Sequence, residues 1–200
     1  MLDSHARKVV QPVFDGIAKR CLKLGISANA LSMIGMLVGI GAAGLVASGH
    51  LLSGIALLWL SGVIDAADGT LARMTQPSPL GAILDITFDR VVEVAMIVAL
   101  ASRFPDANFE LLILAGTIAI AMSLFLSIGA AISNRSVKAF HYAPGLGERT
   151  EAFICLSLMA LDSGRLLFWT WFFIAVIALT MGQRLIHARQ LLSSSDGAEY

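Results

Sequence analysis

Apolar and polar positions along the chain fall into two regimes. Over residues 3–24, Val9, Val10, Val13, Phe14, Ile17 and Cys21 recur at helical spacing, with Lys8, Lys19, Arg20 and Lys23 flanking the stripe. That pattern predicts an amphipathic helix lying in the headgroup layer, which Pro12 kinks or begins. Beyond it the apolar residues run almost unbroken in six stretches, at 29–48, 51–73, 79–101, 110–133, 150–161 and 166–187. A helix crosses the ~30 Å hydrocarbon core with ~20 such residues. The pattern therefore predicts an all-α, polytopic membrane protein. Six transmembrane helices are expected, preceded by the N-terminal interfacial helix. In these terms residues 1–24 form a juxtamembrane helix, 25–192 one transmembrane domain, and 193–200 a polar, mobile tail.

Composition supports the same class, with 57% apolar and 14% charged residues. Formal net charge is zero, so bulk charge points to no nucleic acid and no acidic partner. Its distribution is more informative. With the N-terminus in the cytoplasm, Arg7, Lys8, Lys19, Arg20, Lys23, Arg73, Arg135, Lys138, Arg149, Arg184 and Arg189 lie on the inner side, and only Arg103 and Arg165 outside. This matches the positive-inside rule for a cytoplasmic (inner) membrane, with both termini inside. Cys21 and Cys155 have no metal-type spacing and are expected as buried thiols.

The chemistry lies between the second and third apolar stretches, in DAADGTLARMTQPSPLGAILDITFDR. Asp65, Asp68, Gly69 and Ala72 stand at offsets of three, four and seven, so they share one helix face. Gly81, Asp85 and Asp89 recur every four residues and share a face of the next helix. A turn containing two prolines joins these helices as an antiparallel hairpin, so both acidic faces meet near the cytoplasmic surface. Asp65 lies eight residues before Arg73, or about 12 Å along the helix. Four carboxylates at such depth need compensation, and oxygen-only ligands favour a hard cation, Mg²⁺, Mn²⁺ or Ca²⁺. Two divalent ions balance the four charges, an arrangement suited to displacement at phosphorus. Arg73 adds a guanidinium for a diphosphate, and Gly69, Ala72 and Gly81 give a floor that backbone and ligand approach closely.

These residues resemble the signature of the CDP-alcohol phosphatidyltransferases, D-x2-D-G-x2-A-R-x8-G-x3-D-x3-D, read here as Asp65, Asp68, Gly69, Ala72, Arg73, Gly81, Asp85 and Asp89. Seven residues, not eight, separate Arg73 from Gly81. The resemblance implies a homodimeric enzyme of phospholipid synthesis that works among membrane lipids. Its donor is a CDP-linked alcohol, most often CDP-diacylglycerol, and CMP leaves. It also implies Mg²⁺ as cofactor (two ions, with Mn²⁺ as a substitute) on Asp65, Asp68, Asp85 and Asp89. Asp89 is both ligand and general base. A relaxed T-P-N-x-x-T segment, SANALS, adds Asn29 and Ser32 to the CDP contacts, and Ser78 joins them by the same likeness.

For the acceptor, Arg135, Lys138 and Arg149 are the basic residues nearest the expected cavity, and they suit an anionic polyol such as inositol phosphate or glycerol phosphate. GERTE faintly resembles the E-R-x-x-R region of the inositol-phosphate-using members, without its second arginine. Glu93, one turn past Asp89, is a further cavity contact or the partner of a basic residue on a neighbouring helix. Trp59, Phe88 and Met96 are expected to pack, and His141, Tyr142, Trp169 and Trp171 to anchor at the interfaces. The competing reading is a small ion or proton carrier with the aspartates as a relay. Clustering of the carboxylates toward one face argues against it.

Overall fold

The computed structural model describes residues 2–133 and 149–196, with the side chains of 11–132 and 149–192. Among the described residues the protein is all-helical: α1 (Leu2–Lys23), α2 (Ala28–Ala47), α3 (Leu51–Met74), α4 (Pro79–Arg103), α5 (Asn108–Ser133), α6 (Arg149–Leu161) and α7 (Leu166–Asp196). Single 3-10 turns, Pro105–Ala107 and Ser163–Arg165, precede α5 and α7.

The ends of these helices follow from local chemistry. After α1 and α2 the chain passes through Gly25 and Gly49 at φ of 70° and 90°. The following amides reach back, Ile26 N–H to Cys21 O at 3.0 Å and His50 N–H to Leu45 O at 2.8 Å, and close both helices. At the start of α4, Ser78 Oγ accepts from Gly81 N–H at 2.9 Å, and Pro79 follows in the first turn.

Four helical stretches are long and apolar enough to cross a membrane: Ala28–Ala47, Leu51–Met74, Pro105–Ile132 and Ser163–Leu192. The other two of the six expected spans fall short for different reasons. The 25 residues of α4 suffice in length, but Asp85, Asp89, Arg90, Glu93 and Arg103 interrupt its apolar character. With 13 residues, α6 rises only about 20 Å. The last helix continues past His187 to Asp196, so residues 193–196 of the expected tail are helical.

Packing differs from a simple α3–α4 hairpin. The two helices make little direct contact, and α2 packs against both. Missing side chains let it approach: a Cβ on Gly39 would lie 2.5 Å from Val92 Cγ2, and one on Gly54 2.7 Å from Val46 Cγ2. On the other side α7 packs against α5 and α6, and α6 also touches α3 and α4. One core, with Leu58, Met96, Leu100, Leu114, Leu156 and Met159 fully buried, ties these groups together. The first helix docks on α2 and α3 through Ala18 and Cys21, against Leu31, Ala67 and Leu71. Val13 of the same helix is exposed at the protein surface. Both cysteines are buried and free.

Candidate metal and substrate site

Because α2 holds α3 and α4 apart, their acidic faces meet across a cavity instead of in van der Waals contact. Asp65 and Asp68 come from α3 and Asp85 from α4, and one oxygen of each lies within 4.8 Å of the others. Asp68 is 4% exposed, and its Oδ2 is buried with no hydrogen-bond partner. Nearby, the Ser32 hydroxyl of α2 donates to Ala28 O at 3.1 Å. Leaving a buried carboxylate oxygen unpaired is expensive. Three converging carboxylates with an orphaned acceptor among them fit a hard divalent cation.

Asp89 stands apart from this trio. Arg149, the first residue of α6, bridges α3 and α4 with its Nη1, in ion pairs to Asp65 and, at 2.5 Å, to Asp89. The Asp89 contact is charge pairing without hydrogen-bond alignment, since Oδ1 has no hydrogen-bonding partner. The guanidinium also lies over the Phe153 ring, 5.3 Å from its centroid. Arg149, expected as an acceptor contact, thus reaches the carboxylates themselves. Sequence spacing gave no sign of this, because α6 is brought in by tertiary packing alone.

Two cavities adjoin here. The first, about 470 Å³, is bordered by the three clustered carboxylates, Gly69 and Arg73, with Trp59 and Phe153 on its wall. Trp59, expected to do no more than pack, borders the site. The second, about 360 Å³, lies among α4, α5, α6 and α7, with Arg90, Glu93 and Arg184 on its wall. Asp85, Asp89 and Arg149 border both. Glu93 is 2% exposed and pairs at 2.6 Å with Arg90 of its own helix, the partner being three residues away instead of on a neighbour. Arg184 Cζ lies 4.8 Å from the Phe125 centroid.

The remaining expected contacts divide between cavity and rim. Arg73 Nη2 donates to Thr70 Oγ1 at 2.9 Å, and a Cβ on Gly69 would meet only Arg73 Nη1, at 3.5 Å. Ala72 is half-buried beside them. Asn29, Ser78 and Gly81 come together at the start of α4: a Cβ on Gly81 would stand 3.1 Å from Ser78 Oγ and 3.2 Å from Asn29 Oδ1. Arg135, Lys138, His141 and Tyr142 lie outside the described residues.

Comparison with known proteins adds a second line. The family model described as CDP-alcohol phosphatidyltransferase matches residues 25–182. The chain is 32% identical over 196 residues to an archaetidylinositol phosphate synthase of Methanothermobacter thermautotrophicus, covering 93% of each chain. It is 26% identical over 170 residues to the inner membrane protein YnjF of Escherichia coli, covering 79% of this chain and 81% of that one. In fold it is similar to the crystal structure of Mycobacterium tuberculosis phosphatidylinositol phosphate synthase with CDP-DAG bound, at TM-score 0.71 and 22% identity over 88% of this chain and 94% of that one. A structure of the same mycobacterial protein in complex with manganese and citrate gives TM-score 0.69 at 22% identity, over 88% of each chain.

Proposed function

Since this chain belongs to the CDP-alcohol phosphatidyltransferase family, and is thereby a multi-pass membrane enzyme, we propose that it transfers a phosphatidyl group from CDP-diacylglycerol to the hydroxyl of an acceptor alcohol. The observation that carries this reading is the carboxylate trio between two cavities, with Asp89 beside it and within reach of both. A carrier of ions or protons needs ionisable groups spread toward both faces, whereas these carboxylates cluster together.

Asp65, Asp68 and Asp85 hold the divalent cation, and two Mg²⁺ ions, replaceable by Mn²⁺, match the formal charge once Asp89 is included. Bound metal supplies charge neutralisation to the diphosphate and to the departing CMP. The chain's own residues do the rest. Arg73 forks onto a phosphate, while Gly69, Ala72 and Gly81 leave room for close approach, and Asn29, Ser32 and Ser78 contribute polar contacts to the CDP moiety. From the second cavity the acceptor oxygen attacks the phosphorus that carries the lipid. A new P–O bond forms, the bond to CMP breaks, and Asp89 takes the hydroxyl proton. Arg149 neutralises part of the charge that Asp65 and Asp89 place between the substrates.

The acceptor is an anionic polyol, inositol phosphate or glycerol phosphate. Arg90, Arg149 and Arg184 on the second cavity support this reading, and Arg135 and Lys138 are the further cations the sequence offers. α4 and α6 complete six spans by lying against protein, with both termini cytoplasmic in the inner membrane, and the enzyme works as a homodimer. The test is CMP release by detergent-purified protein from CDP-diacylglycerol against a panel of alcohols. Release requires a divalent cation and one acceptor of the panel, and Asp89→Asn lowers it by about 10²- to 10⁴-fold. Absence of CMP with every acceptor and cation would overturn the proposal.

A further inference from the structure

Arg149 borders both cavities, whereas Arg73 borders only the first and Arg90 and Arg184 only the second. Its long side chain starts at the first residue of α6, and fixing so flexible a group in one place has an entropic cost. Asp65 and Asp89 hold Nη1, while Nε is buried without a hydrogen-bond partner. The guanidinium also lies over the Phe153 ring, its Cζ 5.3 Å from the centroid, within cation–π range.

Phe153 is itself fixed from three sides. It is 3% exposed. Trp59 of α3 meets it edge-on, with centroids 6.0 Å apart and planes at 89°. Gly62, one turn further along α3, makes room: an added Cβ would come within 2.9 Å of Phe153 Cε2. Trp59 is held in turn, donating Nε1–H to Ser157 Oγ at 3.1 Å. Ser157 Oγ lies 2.6 Å from Phe153 O, to which it donates. The circuit closes within α3 and α6.

We propose that Trp59, Gly62, Phe153 and Ser157 form a shelf that positions Arg149 on the boundary between donor and acceptor cavities, so that Trp59 and Phe153 are positioning residues for the transfer. The inference rests on the proposed reaction for its kinetic consequence but not for its structural one. A planar, delocalised guanidinium suits an aromatic face, whereas the ammonium of a lysine keeps the charge and loses the plane.

The experiment is a double-mutant cycle on purified protein. Phe153→Leu and Arg149→Lys should each raise KM for the acceptor by about tenfold. Together they should give no more than the larger single effect. Ser157→Ala, a milder change that frees Trp59, should shift the acceptor KM in the same direction. If Phe153→Leu has the same effect with lysine at 149 as with arginine, the ring merely packs and the shelf is wrong. The same cycle is read in thermal melting without substrates, where non-additive Tm shifts are expected and additive ones overturn the shelf. Failure of the wild-type protein to form CMP would sink the proposed function, and melting alone would then decide the shelf.

Discussion

Asp68 and Asp89 are indistinguishable as letters in a signature, yet their surroundings differ. Asp68 is buried in the trio with an unpaired oxygen, whereas Asp89 stands beside Arg149. Binding and proton transfer should therefore separate by mutation. Asp68→Asn removes a charged ligand from a site of three and should abolish Mn²⁺ binding, read by electron paramagnetic resonance. Asp89→Asn should retain at least one bound Mn²⁺ per chain while CMP release falls by about 10²- to 10⁴-fold, the usual worth of a general base. Loss of all bound Mn²⁺ in Asp89→Asn would make Asp89 indispensable to the metal and undo the separation. At this scale the sequence was readable where chemistry is local. Offsets of three and four put Asp65 with Asp68, and Asp85 with Asp89, on shared faces without any knowledge of the fold. The pairing of Arg149 with Asp65 and the contact of Trp59 with Ser157 were not legible there, because both depend on α6 meeting α3, a contact between residues some ninety positions apart.

Among the elements, α2 decides the width of the site, and its glycines decide where α2 can sit. Gly39 has no room for a side chain, with Val92 Cγ1 and Cγ2 at 2.7 and 2.5 Å from an added Cβ. Gly44 on the same helix has nothing within 4 Å. Gly39→Val should destabilise the protein by about 1–3 kcal/mol, the usual range for overpacking. It should also lower activity, because Val92 is three residues from Asp89 on α4. Gly44→Ala should leave the melting temperature unchanged or raise it slightly, since alanine is the better helix former. Equal melting temperatures for Gly39→Val and Gly44→Ala would show that α2 and α4 are not so closely apposed. Most helix boundaries were legible because glycine and Ser78-Pro79 mark them chemically. The wedge was not: hydrophobic periodicity locates a helix and its apolar face without saying which neighbour fills the groove. Nor could apolarity alone classify α4, whose charges line cavities, or α6, which is short.

For the whole molecule, two cavities share Asp85, Asp89 and Arg149. Under the proposed reaction, a donor with acyl chains reaches the trio from the bilayer, and a small water-soluble acceptor enters among α4, α5, α6 and α7. What distinguishes the second cavity is its cation content. Arg90 is balanced by buried Glu93 at 2.6 Å, and Arg149 pairs with Asp65 and Asp89. Arg184 comes from a third helix, with its Cζ 4.8 Å from the Phe125 centroid. If the acceptor bears a phosphate, Arg184 on the wall of this cavity is a residue that can recognise it. Arg184→Ala should then lower kcat/KM for inositol phosphate by about tenfold or more while leaving inositol, the neutral counterpart, within about twofold. The ratio of the two, measured as CMP release at saturating CDP-diacylglycerol, separates a lost charge contact from a general loss of packing. A parallel fall for both alcohols would mean that Arg184 supports the α5–α7 interface instead. Acceptor recognition would then fall to other basic residues of the chain, Arg135 and Lys138 first among them.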